Sequence, residues 1–481
     1  MLKLIVRQVN WGVIGAIFGF VIGFFIKIYL IDIVGLSAWG KYVIAQTFSS
    51  FSETILSLGI PFVIIKFIPK FVENNVQKAG RIANIFLRYS FIIGSIFIGL
   101  IYLFSDLINQ YIYNDISGLS WILFLMCIHV PISMLFGVII SLYRSVLKIK
   151  EIVIYGTFVA VTLRAFLTFI TFQFTNDIIF FICIEVFVQI LVLSILLYLF
   201  NKNDFELFVK SNVSEVMSDD KMMSYGKKMF YNSVIAFISA QALTIIISFL
   251  LPPEEVGAYN ILVTLSALST FLLINLNKVF APVISKLFNN QKINELENIY
   301  QKTTFLVNFL TIPLIILIVF FADEILGLYS ENMIEYKQFL FFMILGGIFS
   351  LLSGSSGTIM MMAGLEDKLL RIQIFRSIII IVLSLVLIPY YAMLSVVCIY
   401  CFVMLFTNIS HLFYIKRFIN ISPFTFDLLK LFLVTFIIMI FAINQNYKFN
   451  LIHFFSIPVF TYIFYFLIMF KPIKRIIKQL E

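Results

Sequence analysis

Long apolar stretches follow one another through almost the whole of this 481-residue chain, and no other feature constrains its fold as much. A helix needs roughly 20 mostly apolar residues to cross the hydrocarbon core of a bilayer. In lipid its backbone groups must be satisfied within the segment, which favours helices. Such windows lie near residues 11–31, 39–63, 85–104, 119–143, 152–174 and 178–199. A second series lies near 229–251, 256–282, 304–322, 339–362, 372–391 and 393–415, followed by a final pair near 428–443 and 451–470. The expectation is an all-α integral membrane protein of about 14 transmembrane helices. Charged residues make up 12% of the chain, half the roughly 25% a soluble domain carries, so a water-soluble globule is excluded. Lys3 and Arg7 precede the first apolar run and no small-residue cleavage site follows, which reads as a retained first span.

Charge tests the span count independently. Basic residues collect in the cytoplasmic loops of membrane proteins. With the N-terminus inside, 28 of the 34 Lys and Arg fall on the cytoplasmic side, among them Lys66, Arg81, Lys148, Lys227, Lys292, Arg376 and Lys474. Lys41, Lys337 and Lys448 fall outside, and Lys27, Arg164 and Lys278 fall within spans. A miscounted span would invert this alternation, so both termini are expected in the cytoplasm. The net charge of +9 is thereby accounted for by topology. No Lys/Arg stripe interleaved with aromatics suggests a nucleic-acid partner. No loop reaches the roughly 50 residues of a folded domain, so the work must be done within the bilayer and no enzymatic activity is expected.

The first half of the chain matches the second when the two are laid in one register. Gly40 and Tyr42 meet Gly257 and Tyr259, the run Thr47 to Ser52 meets Thr264 to Ser269, and the charged turn Lys148 to Glu151 meets Leu365 to Lys368. This predicts an N-terminal six-helix lobe over 1–200, a cytoplasmic linker over 201–228 and a C-terminal six-helix lobe over 229–418. An additional helix pair with a basic tail occupies 419–481. Because six is even, both lobes enter the membrane in the same direction, which implies a pseudo-two-fold axis along the membrane normal and a cleft between lobes, as in transporters.

Two segments carry a family resemblance. Glu254-Glu255-Val256-Gly257-Ala258-Tyr259 with Ala281-Pro282-Val283-Ile284-Ser285 resembles the seventh-to-eighth-helix signature of the polysaccharide-transporter branch of the multidrug/oligosaccharidyl-lipid/polysaccharide exporter superfamily. Ala363-Gly364-Leu365-Glu366-Asp367-Lys368, with Leu387-Ile388-Pro389 beyond it, resembles that branch's tenth-to-twelfth-helix pattern. The chain departs from the usual Gly-x-x-Gly-Ala after this proline, having Ala392, Ser395 and Val396. The resemblance implies the MATE-like fold and an O-antigen-type flippase of the bacterial inner membrane. Such a flippase moves undecaprenyl-pyrophosphate-linked oligosaccharide from the inner to the outer leaflet, with membrane lipids and polysaccharide polymerase or assembly proteins as partners.

A hydrated anionic headgroup needs a polar, preferably cationic path, so intramembrane charges are the residues to examine. At 1.5 Å per residue Arg164 lies roughly 15 Å below the outer end of its span, too deep to snorkel. Glu185, about 10 Å deep on the next helix, is within reach of it, and an Arg164–Glu185 ion pair is the structural alternative to a substrate-facing arginine. Lys27 and Lys278 lie near span ends, and Asn275 and Gln241 offer amides to sugar hydroxyls or to neighbouring helices. Glu53, about 21 Å down the second helix, has no evident partner; Glu53 and Glu185 are the candidates for coupling to H⁺ or Na⁺. The second lobe reads as polar without mid-depth charge. Gly15, Gly19 and Gly23 read as a packing stripe. His129, His411 and His453 share no metal-site spacing, Cys398 and Cys401 form a CxxC with no second pair, and no cofactor is expected.

Two rivals stand beside the flippase. A cation-coupled multidrug exporter of the same fold would carry acidic rather than basic groups in its cleft, so neutralisation of Arg164 by Glu185 would favour it. A membrane-embedded polysaccharide polymerase or ligase should show a sizeable outer loop with catalytic Arg or His, which this sequence lacks.

Overall fold

The structure, a computed structural model, describes residues 2–210, 220–443 and Ile463. Every regular element among them is helical. In chain order these are α1 (Leu2–Leu56), α2 (Ile60–Asn74), α3 (Val76–Ile112), α4 (Leu119–Cys127), α5 (His129–Ser145) and α6 (Ile149–Val153). A π-helical segment (Ile154–Val159) then leads into α7 (Ala160–Thr171), α8 (Ile178–Asn203), α9 (Asp220–Leu250) and α10 (Pro253–Asn289). They are followed by α11 (Ile293–Phe320), α12 (Ala322–Gly327), a 3-10 turn (Glu331–Tyr336), α13 (Lys337–Ser353), α14 (Ser356–Met362), α15 (Glu366–Phe418) and α16 (Phe426–Ile443).

Ten stretches are long and apolar enough to cross a membrane. Two of them, Ile14–Leu56 and Glu366–Phe418, are about double the required length and contain a backbone break, at Gly35 (φ 82°, ψ 164°) and at Ala392 (φ 43°, ψ −130°). Each break joins two of the expected spans with no intervening loop, so the ten stretches account for the first twelve. α16 covers the thirteenth. The fourteenth, near 451–470, lies outside the described residues, as do 211–219 of the expected linker and the basic tail. The chain is an all-α, multi-pass membrane protein.

The described chain divides into two compact units, Met1–Gly257 and Ala258–Glu481. The first has a core where α2, α3, α5 and α8 meet, with Ile64, Ile82, Leu142, Tyr143, Leu196 and Phe200 fully buried. In lipid, apolar side chains gain little by leaving the solvent, so helix association depends on close packing and interhelical hydrogen bonds. Both are present. Gly94 of α3 lies so close to Pro131 of α5 that a Cβ there would collide with it, and the Tyr143 hydroxyl donates to the Leu196 carbonyl at 3.0 Å. Gly15 and Gly19 pack on Val153 and Thr157, whereas Gly23 faces open space and is not part of that seam.

The second unit packs Leu296, Tyr300, Ile359, Met360 and Ile415 into its core. Its helices are also fastened by buried amides: Asn308 donates to the Thr304 and Leu351 carbonyls, and Asn408 to Ser350 Oγ. The two units repeat one detail. Ser49 Oγ donates to the Met126 carbonyl at 3.1 Å, and Ser266 Oγ donates to the Met343 carbonyl at 2.9 Å. Ser266 and Met343 are the residues that the repeat register aligns with Ser49 and Met126.

Candidate functional site

A polar cavity of about 320 Å³ lies inside the first unit. Its wall combines Gln46, Ser49, Ser50 and Glu53 of α1, Met126 and His129 at the α4–α5 junction, Ser133 and Phe136 of α5, Gly156, Ala160, Val161 and Arg164, and Glu185, Val188, Gln189 and Val192 of α8. Three of the residues singled out from the sequence, Arg164, Glu185 and Glu53, meet here.

Arg164 does not stand alone. Its Nη1 is 2.8 Å from Glu185 Oε1, with the Glu185 side chain 8% exposed and that of Arg164 32% exposed. The other carboxylate oxygen of Glu185 accepts the Tyr42 hydroxyl at 2.8 Å, and Gln46 Nε2 donates to the Tyr42 oxygen at 3.2 Å. The pair is therefore neutral and its anionic member is held from two sides. A buried carboxylate with two charge-assisted partners is well compensated, whereas removing either partner leaves it exposed to a low dielectric.

The π-helical segment Ile154–Val159 sits immediately before the helix that carries Arg164. A π turn holds one residue more than an α turn, so every later side chain is rotated by about 100° relative to an unbroken α-helix. That rotation sets the face on which Arg164 meets Glu185.

Glu53 has neither a hydrogen bond nor an ion pair to its carboxylate among the described residues. With Arg164 and Glu185 cancelling, the formal charge left on the cavity wall is the negative charge of Glu53. Among the described residues His129 Nε2, Arg164 Nε and Gln189 Oε1 are buried without a well-formed hydrogen bond, the His129 and Gln189 side chains lie close enough to interact, and Gln189 Nε2 donates to Ser133 Oγ at 3.0 Å. One water needs only about 10–15 Å³ of such space, so the cavity can hold polar contents, and its unmet donors and acceptors call for them. Sequence reasoning assigned no part in a site to His129, Gln189, Ser133 or Tyr42. Tyr42 had a usable signal, since it is one of the residues that the repeat preserves.

Lys27 reaches the pair through aromatic rings. Its Nζ lies 5.4 Å from the centroid of Trp39, which stacks on Tyr42 at 4.8 Å. Lys278 donates to Asn275 Oδ1 at 3.0 Å, and Asn275 Nδ2 donates to the Phe271 carbonyl at 2.9 Å. Gln241 is exposed on α9. These four residues do not line the cavity.

In the second unit one arginine is only partly exposed. Arg376, counted with the loop cations, is ten residues into α15, about 15 Å from the helix start at Glu366. Its Nε is buried without a hydrogen-bond partner, and it lies within electrostatic reach of Tyr259, Tyr400 and His411. Both cysteines of the CxxC are free thiols: Cys398 is exposed and Cys401 Sγ donates to the Phe342 carbonyl.

Comparison with known proteins follows the same lines. The sequence family described as polysaccharide biosynthesis protein matches residues 33–338. Among solved structures, a lipid II flippase, MurJ, in an inward closed conformation superimposes with a TM-score of 0.72 at 17% identity, covering 96% of this chain and 98% of the other. A transporter of the MOP superfamily from Pyrococcus furiosus gives 0.60 at 14% identity over 87% and 96%. An inward-facing multidrug resistance MATE family transporter of the same superfamily gives 0.63 at 12% over 88% and 96%. No curated protein matches the sequence.

Proposed function

Because the chain belongs to the polysaccharide biosynthesis protein family, we propose that it is a flippase for undecaprenyl-pyrophosphate-linked oligosaccharide, an O-antigen, capsule or exopolysaccharide repeat unit. It works by alternating access in the bacterial inner membrane, with both termini cytoplasmic as the loop charges require. The observation that carries this reading is the extent of the family match: residues 33–338 include every residue lining the polar cavity. The fold shared with a lipid II flippase supports the same class of cargo.

In this scheme the protein makes and breaks no covalent bond. Glu53, which lines the same cavity as the neutralised pair, is the coupling residue for H⁺ or Na⁺, and Glu185 contributes through the state of its bond to Arg164. Lys27, Lys278, Asn275 and Gln241 contact the headgroup along its route. Membrane lipids surround the carrier, and polysaccharide polymerase or assembly proteins receive its product.

The test is deletion of the gene followed by measurement of which leaflet holds the lipid-linked glycan, repeated in cells that carry Arg164→Ala. Accumulation on the inner leaflet is expected in the deletion strain; unchanged outer-leaflet delivery overturns the proposal. A second reading, a cation-coupled drug exporter, is favoured by the pairing of Arg164 with Glu185, which leaves the cavity acidic rather than basic. Gradient-driven extrusion of a cationic dye from proteoliposomes, without glycan transport, would select it.

A further inference from the structure

A second cavity of the first unit has the opposite character to the polar one and shares no lining residue with it. It measures about 340 Å³ and is bounded by the corner between α1 and α2, by α3 and by the first turns of α9. Leu58, Val63, Phe86, Met222, Met223 and Phe230 supply much of its wall. Tyr89 also lines it, but its hydroxyl already donates to the Leu56 carbonyl at 3.0 Å. Lys227 is the one charged residue of the wall among the described residues, and it is exposed. Leu58 and Met223 are 46% and 38% exposed, so apolar surface continues to the mouth of the slot.

Depth decides what can enter. Residues 60–63 close the second apolar window of the sequence, 85–89 open the third, and 222–230 lead into the seventh. All three therefore lie where the headgroups of one leaflet meet its acyl chains, on the side of the basic loops. Lys66, Lys70 and Lys228 are exposed on the same elements. An apolar slot at this depth opens onto lipid, and its walls lose van der Waals contact unless a chain fills it. Methionine side chains adapt to a flexible chain, and a lysine at the mouth can extend to a phosphate, as basic side chains do at a membrane interface. Beside the slot α9 crosses the α1–α2 corner backbone to backbone: a Cβ on Gly59 (φ 72°) would come within 2.9 Å of the Gly226 carbonyl oxygen. With so little side-chain contact at that crossing, a chain lying between α3 and α9 would add to what holds α9 in place.

We infer that this slot is a resident site for a phospholipid of the adjoining leaflet, with one acyl chain between α3 and α9 and its phosphate at Lys227. The inference does not rest on the cargo proposed above, because the occupant is a lipid of the surrounding membrane and the polar cavity takes no part.

The test is thermal unfolding of the purified full-length protein in a neutral detergent. It is titrated with palmitoyl-oleoyl phosphatidylglycerol and, separately, with undecaprenyl phosphate. Phosphatidylglycerol is expected to give a saturable rise of a few degrees. Met223→Trp, which fills the slot from its exposed rim, should move the midpoint of that titration at least about tenfold upward. Lys227→Gln should move it about threefold, the scale of one exposed ion pair. Lys228→Gln, next in sequence but not on the wall, should leave it unchanged. All three positions are exposed, and an unfolding temperature without lipid within a degree or two of the wild type verifies each fold. The inference is overturned by the absence of a saturable response, by an equal response in Met223→Trp, or by a loss in Lys228→Gln as large as that in Lys227→Gln. A response to undecaprenyl phosphate alone also overturns it, since the slot would then serve the tail of the cargo.

Discussion

The Tyr42 hydroxyl and the Glu185 carboxylate, 143 residues apart in the chain, are 2.8 Å apart in the structure. The bond joins α1 to α8 and secures the anion to which Arg164 is paired.

Tyr42→Phe removes one donor from that carboxylate and keeps the ring that stacks on Trp39. A hydrogen bond to a charged group contributes about 1.5–3 kcal/mol. A fall in unfolding temperature of the purified protein, with retained secondary structure, is the expected outcome, and Trp39→Phe should not reproduce it to the same extent.

The ion pair itself predicts non-additivity. Glu185→Gln or Arg164→Gln alone leaves a charge uncompensated and should cost on the order of 2 kcal/mol. That is below the roughly 3–5 kcal/mol of a fully buried pair, since Arg164 retains solvent access. The double variant should recover much of the loss, with a coupling energy of about 1 kcal/mol or more in a double-mutant cycle read by thermal or denaturant unfolding.

Glu53→Gln preserves shape and removes the remaining charge of the cavity wall. In proteoliposomes its transport should no longer respond to an imposed proton or sodium gradient, while its melting temperature stays within a degree or two of the wild type. A gradient response equal to that of the wild type would assign coupling elsewhere.

Two backbone sites predict opposite signs. Ala392 adopts a positive φ of 43°, which disfavours any residue with a Cβ by about 1–2 kcal/mol. Ala392→Gly is therefore expected to stabilise the protein by about 1 kcal/mol, less the extra freedom glycine has when unfolded. Gly40→Ala should do the reverse, because its Cβ would run into the Pro253 backbone. A loss of about 1–3 kcal/mol is the scale for overpacking, and Gly257→Ala, whose Cβ would meet the Leu36 carbonyl, should behave alike.

Spans were legible in the sequence because their signal is length and apolarity, and the proximity of Arg164 to Glu185 was legible because a short turn forces their helices to be neighbours. His129 was not, and Tyr42 only through the repeat, since a membrane helix is apolar towards lipid and towards protein alike, and its sequence does not reveal which face is inward. Arg376 reads as a loop charge in the sequence because a cation near a span end ordinarily reaches water; in the structure its Nε is buried without a hydrogen-bond partner among the described residues. The breaks at Gly35 and Ala392 left no polar loop between spans to mark them.

The wide turn at Ile154–Val159 has a consequence for how this protein tolerates change. Pairing of Arg164 depends on the number of residues that precede it as well as on its identity. Loss of a single residue from that turn would restore an ordinary helix and aim the arginine away from its carboxylate, a lesion as severe as replacing the arginine, although no charged side chain had been touched.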